Sequence, residues 1–424
     1  MHLIDELSWR GLLHDNTPGV REQLEKEITT GYVGFDPTAD SLHIGNLVPI
    51  ILLMHLQRAG HRPIALVGGA TGRVGDPSGK TEERKFLDVA TIQSNLEAQK
   101  AQLKRFLDFD CGERSAQVVN NYDWFENISF LDFIRDVGKH ITVNYMLSKD
   151  SVKKRLETGM SFTEFTYQLI QGYDFFHLWK YMGVKLQMGG SDQWGNIVTG
   201  TELIRRLAGG EAHALTAPLI TKADGSKFGK SEGGNVWLDK AKTSPYTFYQ
   251  YWLNTSDDDA ARYIKIFTFL PKEDIEAVIA SHAENPALRV LQKRLAEEIT
   301  RMVHSEDDLQ TALAATDVLF GRATREQLQR LSADDLLSVF EGVHQATAQR
   351  TALDAGIGIV DALSGQTGFM ASNSEARRAL KENSIQVNKE KVGEDYVLGA
   401  SDLLCDRYVL LQRGKKNYYL LVVE

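Results

Sequence analysis

Cysteine is nearly missing from this chain: Cys111 and Cys405 are the two among 424 residues, too far apart in sequence to form a metal-ligand motif. Their scarcity excludes a disulfide-stapled scaffold and fits a reducing, cytoplasmic setting. Long apolar runs are missing too. The longest, residues 47–56, is interrupted by Pro49 and His55 and is too short to span a bilayer, so no membrane partner is expected. No signal peptide is read at the start, where Asp5 and Glu6 intervene. Internal repeats and low-complexity tracts are absent. Positive charge is in deficit, with 48 Lys and Arg against 57 Asp and Glu and a net charge of -9. That balance argues against indiscriminate nucleic-acid binding and confines any RNA contact to local basic patches. The remainder, 42% hydrophobic and 25% charged, can bury a sizeable core in two or three domains.

Strand and helix signals alternate through the first half. Thr17 reads as a cap with Pro18 at the first position of an N-terminal helix. Tyr32–Phe35 reads as a strand, Leu47–Ala59 as an apolar helix stopped by Gly60, and Pro63–Gly68 as a strand buried on both faces. A helix at 87–107, a strand near Val118, a helix at 162–181, a strand at Lys185–Met188 and a helix after Trp194 continue the pattern. Such alternation implies an α/β, Rossmann-like doubly wound parallel sheet with ligands at the carboxyl ends of its strands. The expected division is a catalytic domain at 1–220, a mobile Lys-rich loop at 221–243, an α-helical domain at 244–345, a linker at 346–356 and a small α+β RNA-binding module at 357–424.

Several clusters carry chemistry. His43-Ile44-Gly45-Asn46, behind the turn Asp36-Pro37-Thr38, opens the apolar helix, where free N–H groups favour anions and Gly45 lets a nucleotide approach the backbone. Thr38 can add a hydroxyl to a γ-phosphate. Alone, His43 reads more readily as an ordinary helix-start histidine. Lys222, Lys227 and Lys230 alternate with Gly225 and Gly229 before Ser231, which suits a loop closing on pyrophosphate or, equally, a solvated surface loop. The glycine-rich stretch Gly68–Asp76 follows a buried strand, and Asp76 offers a carboxylate to an ammonium group. Lys80 and Arg84, four apart, point at phosphates or at solvent. Tyr167, Gln171 and Asp174 form a polar stripe on an apolar helix, facing a polar ligand or solvent. In Gln187–Trp194, Asp192 can accept from ribose hydroxyls.

Taken together and in order, Gly34–Gly45, Gly68–Asp76, Gly189–Asn196 and Lys227–Ser231 closely resemble the bacterial tyrosyl-tRNA synthetases, class I aminoacyl-tRNA synthetases, from about Tyr32 to the C-terminus. The resemblance implies activation of L-tyrosine by ATP to tyrosyl-adenylate, then transfer to tRNA(Tyr). It implies that Tyr32 and Asp174 bind the tyrosine hydroxyl, that Asp76, Tyr167 and Gln171 hold the α-amino group, and that Gln187 lines the same pocket. Asp36, Thr38, His43, Gly45, Asn46, Asp192, Gln193, Lys227, Lys230 and Ser231 would bind ATP. Thr38, His43, Asn46, Lys80, Arg84, Lys227 and Lys230 would meet charge developing on its phosphates. Magnesium is expected to arrive with ATP, with no protein-bound metal. A homodimer is implied, and the aromatic stretch from Tyr122 to Phe133 is a candidate interface.

The last segment resembles a small RNA-binding domain shared with a ribosomal protein; Arg377, Arg378, Lys381, Arg413, Lys415 and Lys416 would contact tRNA phosphates. Cutting the chain from about residue 356 is therefore expected to spare adenylate formation. The alternatives are a tryptophanyl-tRNA synthetase, which Tyr32 and Asp174 oppose, and a catalytically silent RNA-binding protein. Two positions depart from the family pattern. Asn46 replaces a histidine and keeps an N–H donor, and Val33 stands where some relatives carry a residue that hydrogen-bonds ribose. A Val33→Cys variant should accordingly show a lower KM for ATP in an activation assay; an unchanged KM would contradict this reading of Val33.

Overall fold

The alternating apolar segments form one six-stranded sheet: β1 (Asp15–Asn16), β2 (Thr30–Phe35), β3 (Arg62–Val67), β4 (Gln117–Asn120), β5 (Val184–Gly190) and β6 (His213–Ala217), in the order β1-β6-β5-β2-β3-β4. All neighbours are parallel except the short edge pair β1–β6. The computed structural model describes residues 2–78, 87–226, 228–231, 234–319, 324–340, 343–414 and 417–424, apart from the side chains of Lys154, Lys230, Ser231, Val318, Leu319 and Ser338. Every residue of β6 and all but the first of β3 are buried, as a parallel sheet covered on both faces requires. The helix Leu47–Arg58 is buried nearly all round, which explains its weak amphipathicity in the sequence. Among the described residues, no helix is long and apolar enough to cross a membrane.

The chain divides into two units, Met1–Asp239 with Thr255–Leu295, and Lys240–Asn254 with Ala296–Glu424. The helices expected as one domain at 244–345 are thus shared out. In the first unit, Arg10, 4% exposed, donates to the carbonyls of Lys265 (2.8 Å), Thr268 (2.7 Å) and Leu270 (2.8 Å), satisfying the carbonyl end of the helix Asp257–Phe267. The N-terminal residues, silent in the sequence, therefore hold a helix far along the chain. The expected cap is corrected: the second helix starts at Val20 behind Gly19, and the Thr17 hydroxyl instead accepts from Ala214 N–H (3.0 Å), spending its oxygen on the sheet edge.

In the second unit, five strands run in the order Glu390–Lys391, Ile385–Val387, Tyr408–Arg413, Asn417–Val423 and His344–Ala348. The stretch expected as a linker at 346–356 is structured: His344–Ala348 pairs in parallel with Tyr419–Val423, and Arg350–Ala355 is a helix. Its polar composition reflects an edge position. The two central strands alternate between two cores with period two. Val409, Leu411, Tyr419 and Leu421 face one cluster with Leu353, Leu363 and Ile385, whereas Tyr408, Leu410 and Leu420 face Tyr246, Leu328, Leu331, Leu336 and Phe340. The C-terminal sheet and these helical residues share one core, so a cut at 356 would uncover it. Chains ending at residue 355 should melt at lower temperature than the full chain and scatter light on heating; an undiminished Tm would show that the helices hold together without the sheet.

Candidate active site

The strand order reverses at β2, which has β3 on one side and β5 on the other; a crevice opens there at the carboxyl ends of the strands. A cavity of about 820 Å³ occupies it. All the described residues that sequence reasoning assigned to tyrosine or ATP line this cavity: Tyr32, Asp36, Thr38, His43, Gly45, Asn46, Asp76, Tyr167, Gln171, Asp174, Gln187, Asp192 and Gln193, with Val33 beside them. Lys80, Arg84, Lys227, Lys415 and Lys416 lie outside the described residues, as do the side chains of Lys230 and Ser231.

One end of the cavity is lined by deeply buried side chains. Tyr32, 1% exposed, is the register neighbour of Gln187 across the β2–β5 boundary and packs edge-on against Phe175 with ring centroids 5.5 Å apart. Its hydroxyl is buried with no hydrogen-bond partner, and so are the side-chain oxygens of Gln171 and Gln187. Unpaired buried polar groups are costly, and three of them lining one cavity mark where a polar ligand belongs. Asp174, 2% exposed, sits in the same wall. Asn121 Nδ2 donates to its Oδ2 (3.0 Å) and Trp124 Nε1 to its Oδ1 (2.9 Å). Burial raises the Asp174 carboxyl to about 8, outweighing the lowering effect of these two donors, with Asp36 pushing the same way. Burial, and then Asp174, also hold the Tyr32 phenol well above its usual range.

A polar network continues from there. Asn121 Nδ2 also reaches the Thr71 hydroxyl (3.1 Å), Thr71 donates to Asp36 Oδ1 (2.8 Å), and the Tyr167 hydroxyl donates to Asp36 Oδ2 (3.0 Å). A side chain at Gly68 would overlap both the Thr71 hydroxyl and the Asp36 carboxylate. Asp76 is held apart from this chain: Gln193 Nε2 donates to its Oδ2 (2.8 Å) and Ser78 N–H to its Oδ1 (3.0 Å). Sequence reasoning missed Thr71, Asn121 and Trp124. The one available signal was the Asn120-Asn121 pair at the carboxyl end of a parallel strand.

The other end is built from backbone. His43 Nδ1 accepts from Gly45 N–H (3.0 Å), which puts the proton of the neutral ring on Nε2, and Asn46 Oδ1 accepts from His43 N–H (3.0 Å). A Cβ at Gly45 would lie 2.7 Å from His43 Cε1. The Lys-bearing segment is tied to this turn: Ile44 N–H donates to the Val236 carbonyl (2.9 Å) and Leu238 N–H to that of Leu42 (2.8 Å), directly after the hairpin Lys230–Ser231 with Gly234–Asn235. Phe228 anchors it by packing on Tyr263 (5.2 Å) and Phe267 (5.3 Å). In the second unit, Arg377 pairs with Glu394 (3.0 Å) and Arg413 with Glu375 (2.8 Å), while Arg378 and Lys381 are exposed on the helix Asn373–Lys381. Among the described residues, no group of three His, Cys, Asp or Glu could hold a metal ion.

A doubly wound sheet with a histidine turn lining the crevice at its switch point is the architecture of a class I aminoacyl-tRNA synthetase. The family model for tRNA synthetases class I (W and Y) matches residues 24–321, and that for the Tyrosine--tRNA ligase SYY-like C-terminal domain matches 335–421. The tyrosine–tRNA ligase of Flavobacterium johnsoniae is 61% identical over 428 residues, covering 100% of this chain and 99% of that protein; that of Porphyromonas gingivalis is 58% identical over 430 residues, covering 100% of both. The solved C-terminally truncated mitochondrial tyrosyl-tRNA synthetase of Aspergillus nidulans is 31% identical with a TM-score of 0.68, over 75% of this chain and 94% of that one. The chain belongs to the tyrosine–tRNA ligase family.

The buried carboxyl has a consequence for stability. Folded, Asp174 holds its proton up to about 8, whereas the unfolded side chain sheds it near 3.8. This contribution to stability is complete below the unfolded value and is lost as pH rises to the folded one. Asp174→Asn should remove the component, worth up to about 1.4 kcal/mol per pH unit within that window. Denaturant unfolding of both proteins across the window measures it; parallel stability curves would refute the shift.

Proposed function

We infer that the chain is a tyrosine–tRNA ligase: it activates L-tyrosine with ATP, releasing pyrophosphate, and transfers the tyrosyl group to the 3'-terminal adenosine of tRNA(Tyr). The observation that carries this reading is the Tyr32 hydroxyl, buried without a partner in the same cavity wall as the buried Asp174. A phenolic hydroxyl satisfies both groups at once, and an amino acid without one leaves them unpaired, which is how tyrosine-activating enzymes in general reject phenylalanine.

With the hydroxyl held there, the α-amino group falls to Asp76 and Gln171. Tyr167, whose hydroxyl donates to Asp36, holds the amino group from the other side. The substrate carboxylate attacks the α-phosphorus of ATP in line, the bond to the bridging oxygen breaks, and pyrophosphate leaves. The protein supplies neither nucleophile nor base; positioning and charge stabilisation lower the barrier. His43 donates from Nε2 to a phosphate oxygen as charge builds, with Thr38, Lys80, Arg84, Lys227 and Lys230 sharing that charge, and Asp192 accepts from the ribose. Magnesium accompanies ATP and supplies further charge stabilisation at the phosphates. In the second step a ribose hydroxyl of the tRNA attacks the activated carbonyl and releases AMP. Arg378 and Lys381, exposed on one helix, are the foremost of the tRNA phosphate contacts.

The protein works in the cytoplasm as a homodimer. What supports the dimer is an apolar face left uncovered on the helix Phe130–Asp136, where Phe130 is 64%, Leu131 76% and Ile134 45% exposed. Amino-acid-dependent exchange of pyrophosphate into ATP, without tRNA, tests the activity. Exchange with tyrosine and not with phenylalanine or tryptophan is expected. Exchange driven by tryptophan would move the assignment to the sister enzyme, and none with any of the three would favour a silent RNA-binding protein.

A further inference from the structure

At the cavity wall, four polar residues close a ring of hydrogen bonds, two of them facing the cavity and two behind it. Asp76 accepts from Ser78 N–H (3.0 Å) on one oxygen and from Gln193 Nε2 (2.8 Å) on the other. Asn196 Nδ2 donates both to Gln193 Oε1 (3.2 Å) and to Ser78 Oγ (3.3 Å), which completes the circuit. Asn196 and Ser78 are 1% and 4% exposed, and neither lines the cavity, whereas Asp76 and Gln193 do. Gln193 occupies the cap position of the helix Trp194–Ala208 yet makes no side-chain capping bond, and Asn196 lies one turn on, on the same side of the helix. The amide of Gln193 is thus committed to the ring and not to its own helix.

The ring has a polarity, and Asp76 sets it. An amide's two ends are nearly alike in shape, so partners alone decide which end points where. A carboxylate accepts and never donates, so the nitrogen of Gln193 must face Asp76 and its oxygen must face Asn196. Asn196 must then turn its own nitrogen to that oxygen. Removing the Asn196 donor leaves a buried amide oxygen unpaired and the Gln193 side chain held at its Asp76 end alone, free to swing. The nitrogen end of Gln193 lies beside Asp76, on the cavity side.

We propose that Asn196 is a positioning residue for the nucleophile of the activation step: by anchoring the oxygen end of the Gln193 amide it fixes in place the N–H, on the cavity side, that meets the substrate carboxylate. The assignment rests on the tyrosine-activation reading. A carboxylate met by a fixed donor is held for in-line attack; an amide free to swing gives up that hold.

The test compares tyrosine with tyramine, which keeps the phenol and ammonium and has no carboxylate. In Asn196→Leu, similar in size and without a donor, equilibrium binding of tyrosine should weaken and kcat of tyrosine-dependent pyrophosphate exchange should fall, together about tenfold or more. Tyramine binding and the KM for ATP should stay within about twofold. Asn196→Ala serves the same comparison where the leucine variant does not fold. Equal weakening of tyrosine and tyramine would make Asn196 a structural residue and overturn the proposal, as would an unchanged kcat and tyrosine affinity. An unaltered chain that neither binds tyrosine nor exchanges pyrophosphate would overturn the activation reading instead, and the proposal with it.

Discussion

The structure of the site depends on keeping one carboxyl group, that of Asp174, out of water. Desolvation disfavours its charged form strongly enough to raise it to about 8 despite two N–H donors on its oxygens. Those donors must be rigid, and the sequence of contacts from Asn121 through Thr71 and Asp36 to Tyr167 makes them so. Each member of that chain comes from a different element: the ends of β2, β3 and β4 and the helix Phe162–Met182. The fold thus pays in stability for a preorganised wall that a phenolic ligand would complete.

The two ends of the cavity rest on different physics. At one end, side chains buried to a few per cent leave the Tyr32 hydroxyl and the Gln171 and Gln187 oxygens unpaired. At the other, the His43 turn and the segment tied to it are held in place by backbone hydrogen bonds. Phe228 anchors that segment on Tyr263 and Phe267, and Val236 and Leu238 are buried beside the turn.

The second unit shows a similar economy. One pair of strands serves two cores because alternate residues point to opposite faces, and the buried positions are apolar except Gln412. The basic residues are left to the rim, where Arg377 and Arg413 already have acidic partners.

The sequence was most legible where the physics is local. Continuous apolar runs such as Ile64–Val67 mark strands buried on both faces, and the helix Phe162–Met182 shows in its length and its caps, Ser161 before and Gly183 after. His43, Gly45 and Asn46 were readable because a helix-start turn is specified by adjacent residues, and the same holds for the glycines after β3. Polar stretches misled: residues 346–356 looked like a linker because an edge strand and a solvent-facing helix need few apolar residues. Long-range partners left no trace. Arg10 meets carbonyls some 255 residues on, Asn121 meets Asp174 across 53 positions, and Asn196 meets Ser78 across 118. No periodicity encodes such pairs, since they exist once the sheet's strand order has brought its carboxyl ends together. Local pattern was enough for the elements and their class, while the tertiary arrangement chose which polar groups meet, because a hydrogen bond has a range of about 3 Å and is blind to distance along the chain.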